Sequence, residues 1–144
     1  MRTRRAELAR RPGAVAALCA IFAASAAACS HGDPARGGAE RFVDAYYVEI
    51  DLPRARNEAV GLARAKVDDE LKLLTGQEAP ESGIRPTVHY RLVDSQGEAA
   101  NDRRGFVFEL SIHTDSGDEL TRRVLVTMRE EAGAWHAANF QEID

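Results

Sequence analysis

The sequence predicts an α+β domain in which two amphipathic helices pack on a four-stranded antiparallel meander, preceded by a signal peptide. Three observations lead to this prediction: a basic and then apolar N-terminus, helical spacing of apolar residues from position 39, and alternating spacing from position 88. We divide the chain into a signal peptide at 1–28, Cys29 with a flexible tether at 29–38, and one domain at 39–144.

The N-terminus has the charge pattern of an export signal. Five arginines precede residue 12, and residues 13–28 are uncharged and apolar. This segment is about as long as the core of a signal peptide and is shorter than the roughly 18–20 apolar residues of a membrane-spanning helix. We therefore expect cleavage, with export by the general secretion route.

The cleavage site resembles the lipobox of bacterial lipoproteins, which the segment Ala26-Ala27-Ala28-Cys29 carries. The resemblance implies that Cys29 becomes the lipid-bearing N-terminus, so that the lipid attaches the protein to a membrane of the cell envelope. Lipoboxes usually have leucine where Ala26 stands, and the alternative is ordinary cleavage that leaves a soluble periplasmic protein. Ser30, in place of aspartate, favours the outer membrane over the inner one.

The exported part is acidic and has no disulfide framework. Of the 19 basic and 23 acidic residues in the chain, 14 and 22 follow residue 29, which gives a net charge of −8. This charge argues against nucleic acid as a partner and against electrostatic binding to anionic lipid. The only other cysteine, Cys19, lies within the predicted signal peptide.

Two helices are predicted after the tether, whose glycines and proline at 30–38 are expected to pack on nothing. The first helix begins at Ala39, and the second runs unbroken from Pro53 until Gly76 ends it. Both have an apolar stripe at helical spacing. The stripes comprise Phe42, Val43, Tyr46, Tyr47 and Ile50 in the first helix, and Val60, Ala63, Val67, Leu71 and Leu74 in the second.

Four strands are predicted beyond a loop at 77–86. Apolar residues alternate with polar ones from 88 to 92, from 106 to 112 and from 124 to 128, and a shorter fourth strand covers 135–140. The separators are short and rich in turn residues, which favours antiparallel pairing of neighbours. One face of the sheet is apolar and needs the helices to cover it.

This order of elements, with the segment Phe42–Tyr47 entering the fold and Trp135–Phe140 closing it, resembles small nuclear-transport-factor-like domains. The resemblance implies a cystatin-like roll, in which a curved sheet wraps the helices into a cone. Many bacterial members are lipoproteins or secreted proteins. Some members are isomerases or dehydratases whose pockets pair a tyrosine with a carboxylate or histidine base.

Six aromatic residues are candidates for the core or for a pocket. They are Tyr46, Tyr47, Tyr90, Phe108, Trp135 and Phe140. For Tyr46 and Tyr47 a core position is favoured, with the hydroxyl reaching a partner at the rim. The apolar strand faces hold no carboxylate, so we assign no catalytic residue.

The remaining histidines of the domain, His89, His113 and His136, are scattered over the predicted strands. Three imidazoles form a zinc site only if their faces coincide, and no short-spaced pair supports this. We expect surface histidines, no metal site and no cofactor. The sequence also contains no nucleophile elbow, phosphate-binding glycine loop or CxxC pair.

The favoured function is a non-enzymatic envelope lipoprotein that binds a small apolar ligand or a partner protein. The alternative is a small enzyme or metal protein of the same fold that uses Tyr46 or Tyr47 with a strand histidine. A third hypothesis, an oligomeric scaffold, depends on Val107 and Leu125 on the outer sheet face. A cavity that reaches both a tyrosine hydroxyl and an imidazole would favour the enzyme.

Overall fold

The computed structural model describes residues 32–75, 85–98 and 101–144, which form helices followed by one antiparallel sheet. In chain order the elements are helix α1 (Pro34–Val43), a π-helical turn (Asp44–Val48), helix α2 (Leu52–Asn57), helix α3 (Gly61–Leu74), and strands β1 (Thr87–Gln96), β2 (Arg103–His113), β3 (Glu119–Glu131) and β4 (Ala134–Ile143). The predicted signal peptide, Cys29, Gly76 and most of the predicted loop at 77–86 lie outside the described residues. Within the described part, no helix is long and apolar enough to cross a membrane.

The predicted four-stranded meander is confirmed. Neighbouring strands pair antiparallel in the order β1-β2-β3-β4, and irregularities in register interrupt the ladder at Leu92/Asp94 and at Thr127/Met128. Such bulges bend a strand and increase its twist, as a curved sheet requires. The fourth strand is longer than predicted and extends from Ala134 to Ile143.

The predicted tether is wrong in its second half, because α1 already begins at Pro34. Asp33 caps the helix by accepting a hydrogen bond from the Ala35 amide at 3.1 Å, and Pro34 fits the first turn. Ala35 and Gly38 are buried. Gly38, one of the glycines that indicated a flexible tether, is required for packing. A Cβ atom at this position would lie only 2.9 Å from the carbonyl oxygen of Trp135.

The start of α1 is also tied to the sheet by an ion pair. Arg104, on β2, donates from Nη1 to Oδ2 of Asp33, and only 11% of its side chain is exposed. Its guanidinium also lies over the ring of Phe106, 5.0 Å from the centroid. One carboxylate therefore caps the helix and joins it to β2.

The predicted second helix is in fact two helices. The chain leaves the helical path after Asn57, where Ala59 forms a parallel bridge with Ala137 of β4. The Ala137 amide donates to the carbonyl of Glu58 at 2.9 Å, and the Val60 amide donates to the carbonyl of Ala137 at 2.8 Å. This connection pairs with the edge of β4 at Ala137, whose backbone groups would otherwise be unpaired on that side.

The core lies between the helices and the concave face of the sheet. Its largest fully buried side chains are Phe42, Phe106, Phe108, Leu110, Met128, Val43, Val67, Val124 and Val126. Val67 of the predicted second stripe is buried, whereas Leu74 is 53% exposed. Side chains therefore fill the middle of the roll. At the end where α3 finishes, apolar side chains such as Leu74 remain exposed to solvent.

Two neighbouring glycines of α1 give a matched test of this packing. Replacement of Gly38 by alanine is expected to destabilise the protein, since the new Cβ meets the Trp135 backbone. Replacement of Gly37, whose Cβ would meet only the end of Arg41 at 3.8 Å, should stabilise it by about 0.5–1 kcal/mol through helix propensity. Denaturant unfolding of the two variants measures the difference, and stabilisation by both would contradict the packing.

Candidate functional site

A cavity of about 460 Å³ opens at the end of the roll where α3 finishes, and its lining is almost entirely apolar. Its volume falls in the range typical of sites for small molecules. The π-helical turn and the residues after it, α3, β1 and β2 all contribute to the wall. The lining residues are Tyr46, Tyr47, Ile50, Leu52, Glu70, Leu73, Leu74, Pro86, Val88, Leu110 and Ile112.

The π-helical turn places two tyrosines on the cavity. The amide of Glu49 donates to the carbonyl of Asp44, and that of Asp51 to the carbonyl of Ala45, both at 2.8 Å. These bonds widen the last turn beyond α-helical geometry, a distortion often found at functional sites. The chain then passes through Ile50 at a φ of 54°, a left-handed conformation that is rare for a β-branched residue.

An aromatic cluster closes the inner end of the cavity. The ring of Tyr46 lies 4.7 Å from that of Phe140, 4.7 Å from that of Tyr47 and 5.6 Å from that of Phe42, measured between centroids. Phe42 and Phe140 are buried in the core. Core side chains thus fill the interior of the roll as far as Tyr46, and the cavity lies on the other side of Tyr46.

One carboxylate contributes charge to this apolar wall. Tyr46 donates its hydroxyl hydrogen to Oε1 of Glu70, which projects from α3. Burial, and then the hydrogen bond to Glu70 and its negative charge, raise the pKa of Tyr46 far above its usual value near 10. Burial, together with the charges of Glu142 and Glu70, also raises the pKa of Tyr47. Both phenols are therefore neutral at physiological pH.

The other four aromatic candidates lie away from the cavity. Tyr90 packs edge-on against the buried ring of Phe108 at 5.6 Å, and burial, followed by the neighbouring Asp44, raises its pKa to about 12. Phe140 belongs to the core beneath Tyr46. Trp135 packs against the core and lines a separate, more polar cleft beside the start of α1.

The three histidines do not form one cluster, although two of them are neighbours. His89 and His113 are exposed on neighbouring strands, with ring centroids 5.8 Å apart. His136 lies on β4 with its Nδ1 atom buried and without a hydrogen-bond partner in the described structure. None of the three lines the cavity. Within the described residues, no group of three or more histidine, cysteine, aspartate or glutamate side chains is arranged to hold a metal ion.

Glu70 is the site residue that sequence reasoning missed. Glu70 lies outside the apolar stripe of the second helix, as Asp68 and Asp69 do, so the helical spacing predicts solvent exposure for all three. The structure separates them: Asp68 pairs with Arg56 and Asp69 with Lys72, while Glu70 lies on the cavity. The available signal was its spacing, since Glu70 stands three residues after the buried Val67.

Comparison with known proteins identifies the fold and nothing finer. No protein-family model matches the chain, and no curated protein matches it. Among solved structures, a variant of the designed nuclear-transport-factor-like protein Rd1NTF2_05 matches with a TM-score of 0.51 and 15% identity, covering 77% of this chain and 97% of the design. The chain therefore has the α+β fold of nuclear-transport-factor-like proteins, with helices packed on a curved antiparallel sheet.

The three tyrosines predict that the folded protein loses stability at alkaline pH. All three have a raised pKa, so above pH 10 the unfolded chain loses protons that the folded protein keeps. Their contribution to stability is complete below pH 10 and declines as the pH rises beyond it. In Tyr46→Phe the decline should be shallower. Unfolding free energies measured from pH 8 to about 11 test this, and parallel curves for the two proteins would contradict it.

Proposed function

We propose that this chain is a cell-envelope lipoprotein whose domain binds a small apolar ligand in the cavity beside Tyr46 and Tyr47, without chemical conversion. The observation that carries the proposal is the cavity of about 460 Å³, whose described lining residues are apolar apart from a single carboxylate and two tyrosine hydroxyls. Sites of this kind obtain affinity from the apolar wall and orientation from a few polar groups.

The wall supplies a driving force for binding. Ile50, Leu73 and Leu74 line the cavity and are 49%, 72% and 53% exposed. A ligand that covers them removes apolar surface from water, which is worth about 25 cal/mol for each Å² buried. The aromatic cluster at the inner end keeps the space from collapsing into the core, so a ligand finds a largely preformed site.

Binding is favoured over catalysis by the groups that face the cavity. Tyr46 lines the cavity, but no described histidine does. The raised pKa of Tyr46 keeps its phenol protonated, so that no phenolate is available there as a general base and the hydroxyl remains the donor to Glu70. The scaffold hypothesis is also less favoured, because Val107 is only 5% exposed in the single chain and offers little apolar surface for packing.

The proposed location follows from the N-terminal pattern. The basic start, the apolar segment and Cys29 together support export and lipidation. Two or more acyl chains on Cys29 would attach the protein stably, since each buried CH₂ contributes about 0.8 kcal/mol. The acidic domain needs such an anchor because it is not attracted to anionic lipid. Ser30 favours the outer membrane, and the alternative is a soluble periplasmic protein.

Two leucines of α3 test the cavity. Leu74 lines it and is 53% exposed, whereas Leu62 is 55% exposed and does not line it. With a fluorescent apolar probe, Leu74→Gln should weaken binding about three- to tenfold, because it removes part of the apolar contact surface. Leu62→Gln should leave the dissociation constant unchanged. Equal effects of the two substitutions would mean that the probe binds elsewhere.

The lipid anchor is tested separately by Cys29→Ser. The unaltered protein, purified from its own envelope, should have the mass of residues 29–144 plus acyl chains and should remain with the membrane fraction. The variant should lack the acyl mass and lose the membrane attachment of the mature protein. Intact-mass measurement decides the matter, and an unacylated mature protein would show ordinary cleavage.

A further inference from the structure

We infer that the ligand is an amphiphile with an apolar body and a positively charged amine head group, which Glu70 recognises, and that the cavity discriminates against fatty carboxylates. This inference rests on the proposed ligand-binding function and adds the chemical class of the ligand. It follows from the charge on the cavity wall, since the one charged side chain among the described lining residues is a carboxylate.

Glu70 is the charged group on the cavity wall. Among the described residues that line the cavity none is basic, and no ion pair joins Glu70 to a described lysine or arginine. Its partner is the neutral hydroxyl of Tyr46, which occupies Oε1. The preceding carboxylates of α3, Asp68 and Asp69, are each paired with a basic side chain. Glu70 thus differs from its neighbours in keeping its charge uncompensated beside an apolar space.

The basic residue one helical turn away is engaged elsewhere. Lys66 donates to the Phe140 carbonyl at 2.6 Å and to Oδ1 of Asn139 at 3.0 Å, and it does not line the cavity. A carboxylate head group would meet the like charge of Glu70, and no described basic residue lines the cavity to offset it.

An amine head group satisfies the requirements of this wall. An ammonium group donates hydrogen bonds and carries a positive charge, opposite to that of the Glu70 carboxylate. The hydroxyl of Tyr46 holds the carboxylate in position. Charge-assisted hydrogen bonds of this kind are stronger where water is partly excluded. An alcohol of the same chain length would make the apolar contacts and one neutral hydrogen bond, and it should bind with intermediate affinity.

The test uses three ligands that share one straight alkyl chain and differ only in the head group: amine, alcohol or carboxylate. Each is measured by displacement of the fluorescent apolar probe, below the concentration at which it forms micelles. We expect the amine to bind at least tenfold more tightly than the carboxylate. Glu70→Gln, which keeps an acceptor for the Tyr46 hydroxyl, should abolish the preference for the amine and leave alcohol binding within about twofold.

Asp69→Asn is the matched control, because it removes a negative charge from the adjacent, exposed position of the same helix. It should preserve the order of the three affinities. Equal binding of the three ligands, or tightest binding of the carboxylate, would overturn the inference and leave the ligand-binding function standing. Loss of all three in Glu70→Gln would show a structural role for Glu70 and would also overturn it. Failure of all three to bind the unaltered protein would overturn the proposed function itself.

Discussion

The contact between Phe42, Tyr46 and Phe140 is the interaction on which the rest of this domain depends. The ring centroids of Phe42 and Phe140 lie 5.1 Å apart in the core, and Tyr46, in the π-helical turn, stacks on Phe42 and packs at a tilt against Phe140. These rings join the first helix to the last strand across the interior of the roll. They also divide that interior, because the space before Tyr46 is filled by side chains and the space beyond it is the cavity.

The same cluster explains why the cavity has a polar group in an apolar wall. Tyr46 is held by its ring in the core, so its hydroxyl reaches outward to a fixed place, where Glu70 accepts its hydrogen. The pair positions the carboxylate without neutralising it. An apolar cavity beside an uncompensated negative charge is suited to bind a molecule with an apolar body and a cationic head group. The inferred preference for amines depends on this arrangement.

Much of the fold was predictable because it depends on local periodicity. The alternation around Phe106, Phe108 and Leu110 predicted the second strand and its buried face, and the short turns predicted the meander. Two features were not predictable in this way. Gly38 is required by a close approach to Trp135, and the break before Gly61 is set by pairing with Ala137. Both depend on β4, about 75 to 100 residues further along the chain.

The site was predictable only in part, for a related reason. Helical spacing placed Tyr46 and Tyr47 on the inner face, where the structure has them, but it could not show that the core ends at Tyr46. The apolar stripe of the second helix predicted solvent exposure for Glu70, although Glu70 borders that stripe three residues after Val67. The stripe could not show that the turn after α1 and the sheet enclose Glu70 on its other side. Its role depends on tertiary packing, and Ile50 reaches the wall through a backbone conformation that composition does not signal.

A crystal structure of the protein with a long-chain alkylamine bound tests recognition by Glu70 most directly. We expect the alkyl chain between Tyr47 and Ile112, with the nitrogen within hydrogen-bonding distance of the Glu70 carboxylate and the aromatic cluster unmoved beneath it. A cavity closed by its own side chains, or an amine bound only on another surface, would contradict both the proposed site and its preference for amines.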